Sequence, residues 1–228
     1  MTRGRFVALE GIDGAGKTTA VAALGDLLRG RGEQVTVLDK HTLTFDSPYV
    51  AGMVGRVRDL IWGRDPGDPY LELGDFFWVH LQAAWYEAVS HTVLRPLLEA
   101  GHTVLTDTWT SKFLAKLAMR PNVDLERARA AFADLPVPDL VVRLELAASV
   151  AAGRRTEFSA SEAGNHEGTV ERTPESFVAY QTRVAMVLDA FGETGGWHIL
   201  DVNGLDVAAT ASALAGLVDT MTPVGSAR

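Results

Sequence analysis

Residues 6 to 32 pass from a short apolar segment through a glycine-rich turn into an amphipathic helix, and that succession constrains the fold more than any other feature. Phe6-Val-Ala-Leu9 reads as a strand. Gly11-Ile-Asp13-Gly14-Ala15-Gly16-Lys17-Thr18 follows, and from Lys17 to about Arg29 the residues Val21, Leu24 and Leu28 recur at helical spacing before Gly30 and Gly32. Gly-x4-Gly-Lys-Thr between a strand and a helix is the Walker A phosphate loop. Its glycines let successive backbone N–H groups wrap a phosphate, and the helix N-terminus adds partial positive charge. Lys17 suits the β- and γ-phosphates as a point charge, and the Thr18 hydroxyl suits Mg²⁺. The expected ATP contacts are therefore Gly11, Asp13, Gly14, Ala15, Gly16, Lys17, Thr18 and Thr19.

Beyond this unit, short apolar runs alternate with helical stretches, the pattern of an α/β fold with a parallel sheet. Strands are expected at Gln34–Leu38, Thr103–Thr106, Asp139–Leu146 and Trp197–Asp201. Between the second and third lies a helical insertion, about 41–100, with one helix over Val54–Trp62 and a longer one over Leu71–Glu99 entered at Asp68-Pro69. Asp124 is placed to cap a short helix that stops before Pro136. Residues 153–173 are polar, with Phe158 and Val170 as the only large apolar side chains, which predicts a flexible lid. Thr173-Pro174-Glu175 starts a helix with a stripe from Phe177 to Phe191, ended by Gly192. Residues 1–228 read as a single domain.

Asp107 closes the third strand, where a phosphate-loop protein needs a carboxylate for its metal. Arg154 and Arg155 open the lid, where cations arriving on closure would stabilise the charge on a transferred phosphoryl group. The six histidines show no zinc-ligand spacing, and there are no cysteines for disulfides, thiolate sites or nucleophiles. The balance of 21 Lys and Arg against 29 Asp and Glu, net −8, argues against a nucleic-acid partner. Phe6–Leu9 is too short for a signal segment, and no stretch approaches a membrane span, so a cytoplasmic location without a membrane partner is expected.

The wider string Phe6-Val-Ala-Leu-Glu10-Gly11-Ile-Asp13-Gly14-Ala-Gly16-Lys17-Thr18-Thr19 resembles the opening of thymidylate kinases. Pro96-Leu-Leu-Glu-Ala-Gly101 with Asp107, Pro138-Asp139, Val150–Arg154 and Glu175–Tyr180 are similar to later landmarks of that family. The resemblance implies a P-loop kinase fold with a five-stranded parallel sheet flanked by helices, ATP and Mg²⁺ as cofactors, and a homodimer. It implies that Thr18 and Asp107 serve the metal and that Lys17, Asp107, Arg154 and Arg155 serve catalysis. Asp13 is implied at the acceptor sugar.

The departures lie on the acceptor side. Thr108 and Trp109 follow Asp107 where the family has an arginine and an aromatic residue, and Lys112-Phe-Leu-Ala-Lys116-Leu117 replaces a Tyr-Gln pair near the base. Asp39-Lys40-His41 replaces the turn after the second strand, and Gln82 and Tyr86 stand at the base-contacting positions of the long helix. Asp13, Lys40, Gln82, Tyr86, Trp109 and Lys112 are the resulting candidates for the acceptor. The leading expectation is a nucleoside monophosphate, dTMP or a related nucleotide, as that acceptor. Two others remain open: a diverged kinase acting on a nucleoside or specialised metabolite, and a non-catalytic nucleotide-dependent switch.

Overall fold

The computed structural model describes residues 3–63, 69–164 and 171–221. Its centre is a five-stranded, all-parallel sheet of β1 (Arg5–Glu10), β2 (Val35–Leu38), β3 (Thr103–Thr106), β4 (Leu140–Glu145) and β5 (His198–Asp201), in the order β2-β3-β1-β4-β5. Side chains of β1 alternate between the two faces. Phe6 and Ala8 pack with Val104 on one side, and Val7 and Leu9 pack with Leu105, Val142 and Leu144 on the other. Helices cover both faces, as a parallel sheet requires. α1 (Lys17–Gly30), α7 (Ala148–Gly153), α8 (Pro174–Gly195) and α9 (Val207–Asp219) cover one face. α2 (Pro48–Trp62), α3 (Asp75–Val89), α4 (Arg95–Glu99), α5 (Ser111–Ala118) and α6 (Leu125–Ala130) cover the other. None of the described helices is long and apolar enough to cross a membrane.

The strands lie where the apolar runs place them: β3 matches its run, β1 gains a residue at each end, β2 and β5 each lose their first residue, and β4 loses one at each end. Asp139 stays outside β4 because it clamps β1: its carboxylate accepts the Phe6 N–H at 2.8 Å, and its own N–H donates to the Phe6 carbonyl at 2.7 Å. Trp197 stays outside β5, packed against Gly192, where an added Cβ would lie 3.3 Å from the indole. α8 therefore runs through Gly192 to Gly195 and ends at Gly196, whose φ of 65° reverses the chain.

The insertion departs further from expectation. α2 starts at Pro48, six residues before Val54, because the Ser47 hydroxyl caps Val50 N–H and Pro48 takes the first turn. The expected long helix is divided. Asp68 lies outside the described residues, Tyr70–Leu73 form a 3₁₀ turn, and Gly74 with φ 74° separates that turn from α3. Ser90–Leu94 form a π turn joining α3 to α4. In the lid, 165–170 lie outside the described residues. The preceding part is folded rather than open: Ser159 and Glu162 form a capping box around a 3₁₀ turn at Ala160–Glu162, Ala163 is buried, and Phe158 stacks 4.8 Å from Phe177.

Candidate active site

The loop between β1 and α1 sits at the carboxyl edge of the sheet, the region where open α/β sheets bind ligands. Gly11 must be glycine: with φ 141°, a Cβ there would lie 2.8 Å from the Leu144 carbonyl of β4. Lys17 is buried, and its ammonium donates to the Gly11 carbonyl at 2.9 Å and the Ile12 carbonyl at 2.7 Å. Burial, followed by the nearby Lys112 charge, lowers its pKa to about 8 against the opposing pull of Asp13, Glu10 and Asp107. Thr18 and Thr19 are exposed at the start of α1, and Ala15 is buried beneath the loop.

The Thr18 hydroxyl donates to the Asp107 carboxylate. Because β3 lies beside β1, with Ala8 opposite Thr106, the residue after β3 comes level with the loop. Two hard oxygen donors are thus adjacent at the mouth of the phosphate loop, a set that suits Mg²⁺ completing its shell with phosphate and water.

Behind this pair stands Glu10, fully buried. Its carboxylate accepts from the Trp109 N–H and the Thr108 hydroxyl, each at 3.0 Å. Burial pushes its pKa up, and the Trp109 N–H is the largest opposing influence. Glu10 thereby fixes the turn that follows Asp107. Thr108, the family's arginine position, spends its hydroxyl on this internal bond rather than on the cavity.

Asp13 lies in a cluster of cations. Lys112 bonds its carboxylate, Lys116 lies 3.6 Å away, and Gln181 donates to it at 3.1 Å while accepting the Asp13 N–H at 2.9 Å. Burial would raise the Asp13 pKa, but Lys112, Lys116 and Lys17 overwhelm that and hold it well below the usual carboxylate range. Burial pulls Lys112 down, yet Asp13 outweighs it and leaves the ammonium above its ordinary value. For Lys116 burial wins. Gln181 and Lys116 also reach the lid, donating to the carbonyls of Glu162 and Ser161, both at 2.8 Å.

A cavity of about 390 Å³ opens beside these groups, within the range of small-molecule sites. Asp13, Asp107, Lys112 and Lys116 line it together with Lys40, Gln82, Tyr86, Trp109, Trp62 and Trp78. The Lys40 ammonium lies 4.8 Å from the Trp62 ring centroid, and burial lowers its pKa. The Gln82 side chain hydrogen-bonds to no described residue. Tyr86 and Trp109, expected at the acceptor, are largely packed into the core: the Tyr86 hydroxyl donates to the Trp109 carbonyl at 2.8 Å, and their rings meet edge-on at 4.7 Å. Both also line the cavity.

Of the lid arginines, Arg154 is exposed, whereas Arg155 is paired with Glu162 at 3.0 Å and held over the Phe177 ring. Arg155 is therefore tied within the lid rather than aimed at the loop. Glu10, Gln181 and Arg120 were not expected at the site. Glu10 belongs to the motif string but is separated from its partners by 98 and 99 residues, and Gln181 sits on an otherwise apolar helix face, 168 residues from Asp13. A glutamine in a buried stripe is the one signal that could have marked it.

No family model matches the chain. Individual relatives do. The chain is 35% identical to the thymidylate kinase of Deinococcus radiodurans over 149 residues, 64% of this chain and 66% of that protein. It is 30% identical to the thymidylate kinase of Prochlorococcus marinus over 216 residues, 92% of each chain. With that of Synechococcus sp. it shares 30% identity over 181 residues, 78% of this chain and 79% of that one.

Proposed function

The chain belongs to the thymidylate kinase family, and on that premise we propose that it transfers the γ-phosphoryl group of ATP to a nucleoside monophosphate, dTMP or a related nucleotide. The observation that carries this reading is the contact between Thr18 and Asp107 at the mouth of a phosphate loop that opens on the 390 Å³ cavity. An acceptor phosphate oxygen attacks the γ-phosphorus, the bond to the β–γ bridging oxygen breaks, and ADP leaves. Transfer of this kind needs positioning and charge rather than covalent chemistry from the protein.

In this reading the loop amides and Lys17 hold the donor phosphates, with Lys17 turning from the Gly11 and Ile12 carbonyls to the β- and γ-oxygens. Thr18 and Asp107 hold Mg²⁺, which supplies neutralisation of the phosphate charge. Arg154 is the lid cation that reaches the transferred group, and Lys40 and Lys112 border the acceptor phosphate. Gln82 faces the base. Residues 1–228 act as one kinase unit, with the insertion forming the acceptor wall and 153–173 the lid. A homodimer belongs to the same proposal, supported by exposed apolar side chains on α2 and α3, among them Tyr49, Met53, Leu60 and Phe77. A cytoplasmic location follows from where its nucleotides are.

ADP release measured with ATP, Mg²⁺ and dTMP tests the assignment. We expect release that depends on dTMP and falls at least about 100-fold in Asp107→Ala, the scale seen when one transition-state contact is removed. Full activity in that variant, or ATP turnover indifferent to any acceptor, would refute it.

A further inference from the structure

α3 carries no arginine, yet an arginine reaches the cavity it borders from elsewhere in the fold. Lys112 and Lys116 lie four residues apart on α5 and share one side of it, and Arg120 follows four residues later in the turn just past its end. All three line the cavity. Lys112 and Lys116 are committed to Asp13 at the phosphate-loop end. The helical rise from Lys112 to the end of α5 at Ala118 is about 9 Å, and Arg120 stands in the turn beyond it, a span comparable to that of a nucleoside monophosphate from phosphate to base edge.

At that distance Arg120 meets Asp75, in the first turn of α3. Both side chains are mostly shielded, 15% and 26% exposed, and both face the cavity. Their mutual bond uses one N–H of the guanidinium and one carboxylate oxygen, Oδ1. The remaining guanidinium donors and Asp75 Oδ2 have no hydrogen-bond partner among the described residues. A donor therefore stands next to an acceptor on the cavity wall, with the Trp78 ring also lining it.

We infer that Asp75 and Arg120 read the base of the acceptor and select one that presents a ring N–H beside a carbonyl: the imide edge of thymine or uracil, or the lactam edge of guanine. The carboxylate oxygen accepts the ring N–H, and the guanidinium donates to the carbonyl. Cytosine and adenine present a bare ring nitrogen and an amino group in those places. They would leave the carboxylate facing a lone pair and the guanidinium facing N–H donors. A site built on such pairing rejects the wrong partner far more strongly than one built on shape.

The inference rests on the acceptor being a nucleoside monophosphate, and one experiment separates the two claims. Rates of ADP release are measured with dTMP, dUMP, dGMP, dCMP and dAMP on the wild type, Asp75→Asn and Arg120→Lys. We expect kcat/KM for at least one of the first three to exceed that for dCMP and dAMP by about 10⁴-fold. Asp75→Asn, whose amide can also donate, should narrow that ratio by at least about 10-fold. Arg120→Lys should raise KM for the preferred nucleotide more than it lowers kcat, since a lysine cannot reproduce the planar fork. The ratio between two substrates on one sample does not depend on how much of it is folded, so loss of the α3–α5 clamp alone leaves it unchanged. Equal turnover of all five, or a ratio untouched in Asp75→Asn, overturns base reading by this pair while leaving the kinase assignment standing. No turnover of any monophosphate by a protein that still binds ATP overturns both.

Discussion

Replacing Lys17 by methionine should make the ligand-free protein slightly more stable while abolishing its turnover. The wild-type ammonium sits in a buried site whose surroundings lower its pKa from the ordinary 10.5 to about 8. A displacement of that size means that holding the charged form in the folded state costs about 3 kcal/mol. Against this stand the two hydrogen bonds to the Gly11 and Ile12 carbonyls, whose loss costs about 1 kcal/mol each. The balance favours the methionine variant by about 1 kcal/mol near pH 7, or about 2–4 °C in Tm for a chain of this size. Between about pH 8 and 10.5 the folded wild type has released the proton that the unfolded chain still holds, so its stability rises with pH through that window. The variant has no such group, and its lead should shrink or reverse by pH 10. Calorimetric melts at pH 7 and pH 10, with ADP release at pH 7, check both halves. A variant that melts several degrees below the wild type by the same margin at both pH values would refute the reasoning.

Three further outcomes follow from the site. Thr18→Ala removes one of the two oxygens at the proposed Mg²⁺ site, and the Mg²⁺ concentration for half-maximal ADP release should rise about 10- to 100-fold. Asp13→Asn leaves Lys112 and Lys116 without their carboxylate, at a cost of about 3 kcal/mol at pH 7 in urea unfolding. Because the folded Asp13 pKa is held well below its ordinary value, that carboxylate stabilises the fold fully above about pH 4 and loses the effect progressively as the pH falls toward the folded pKa, so the penalty should be smaller, but not abolished, in melts at pH 3. Gln181→Ala deletes the side chain joining Asp13 to the Glu162 carbonyl. Limited proteolysis should then cut within the lid segment at least about 10-fold faster, and unchanged cleavage would show that the glutamine does not hold the lid.

The phosphate loop, the places of the strands along the chain and the position of Asp107 were legible because each depends on near neighbours in the chain: an apolar run, a glycine spacing, a carboxylate after a strand. The acceptor side was less so. Its helices are set by capping and interruption, as Ser47 and Gly74 show, and an apolar stripe spanning 71–99 conceals both. Tyr86 and Trp109 were expected to meet the acceptor because they stand at positions that contact it in the thymidylate kinases; both line the cavity, but an aromatic side chain also suits a core, and their hydrogen bond draws them largely into one. The partnerships of Glu10, Asp13 and Asp75 join residues 45 to 168 positions apart, and local pattern carries no record of such pairs.

The π turn at Ser90–Leu94 has a consequence for how this chain tolerates changes in length. A π turn holds one residue more than the α-helical turn it replaces. Removing a single residue from that stretch would let the helix close as a regular α turn, with Asp75–Val89 keeping nearly the same orientation relative to α4. The side carrying Asp75, Trp78, Gln82 and Tyr86 would then stay on the cavity. The π turn is thus the place where this helix can shed a residue without blinding that wall, whereas a deletion inside Asp75–Val89 would turn part of the wall by about 100°.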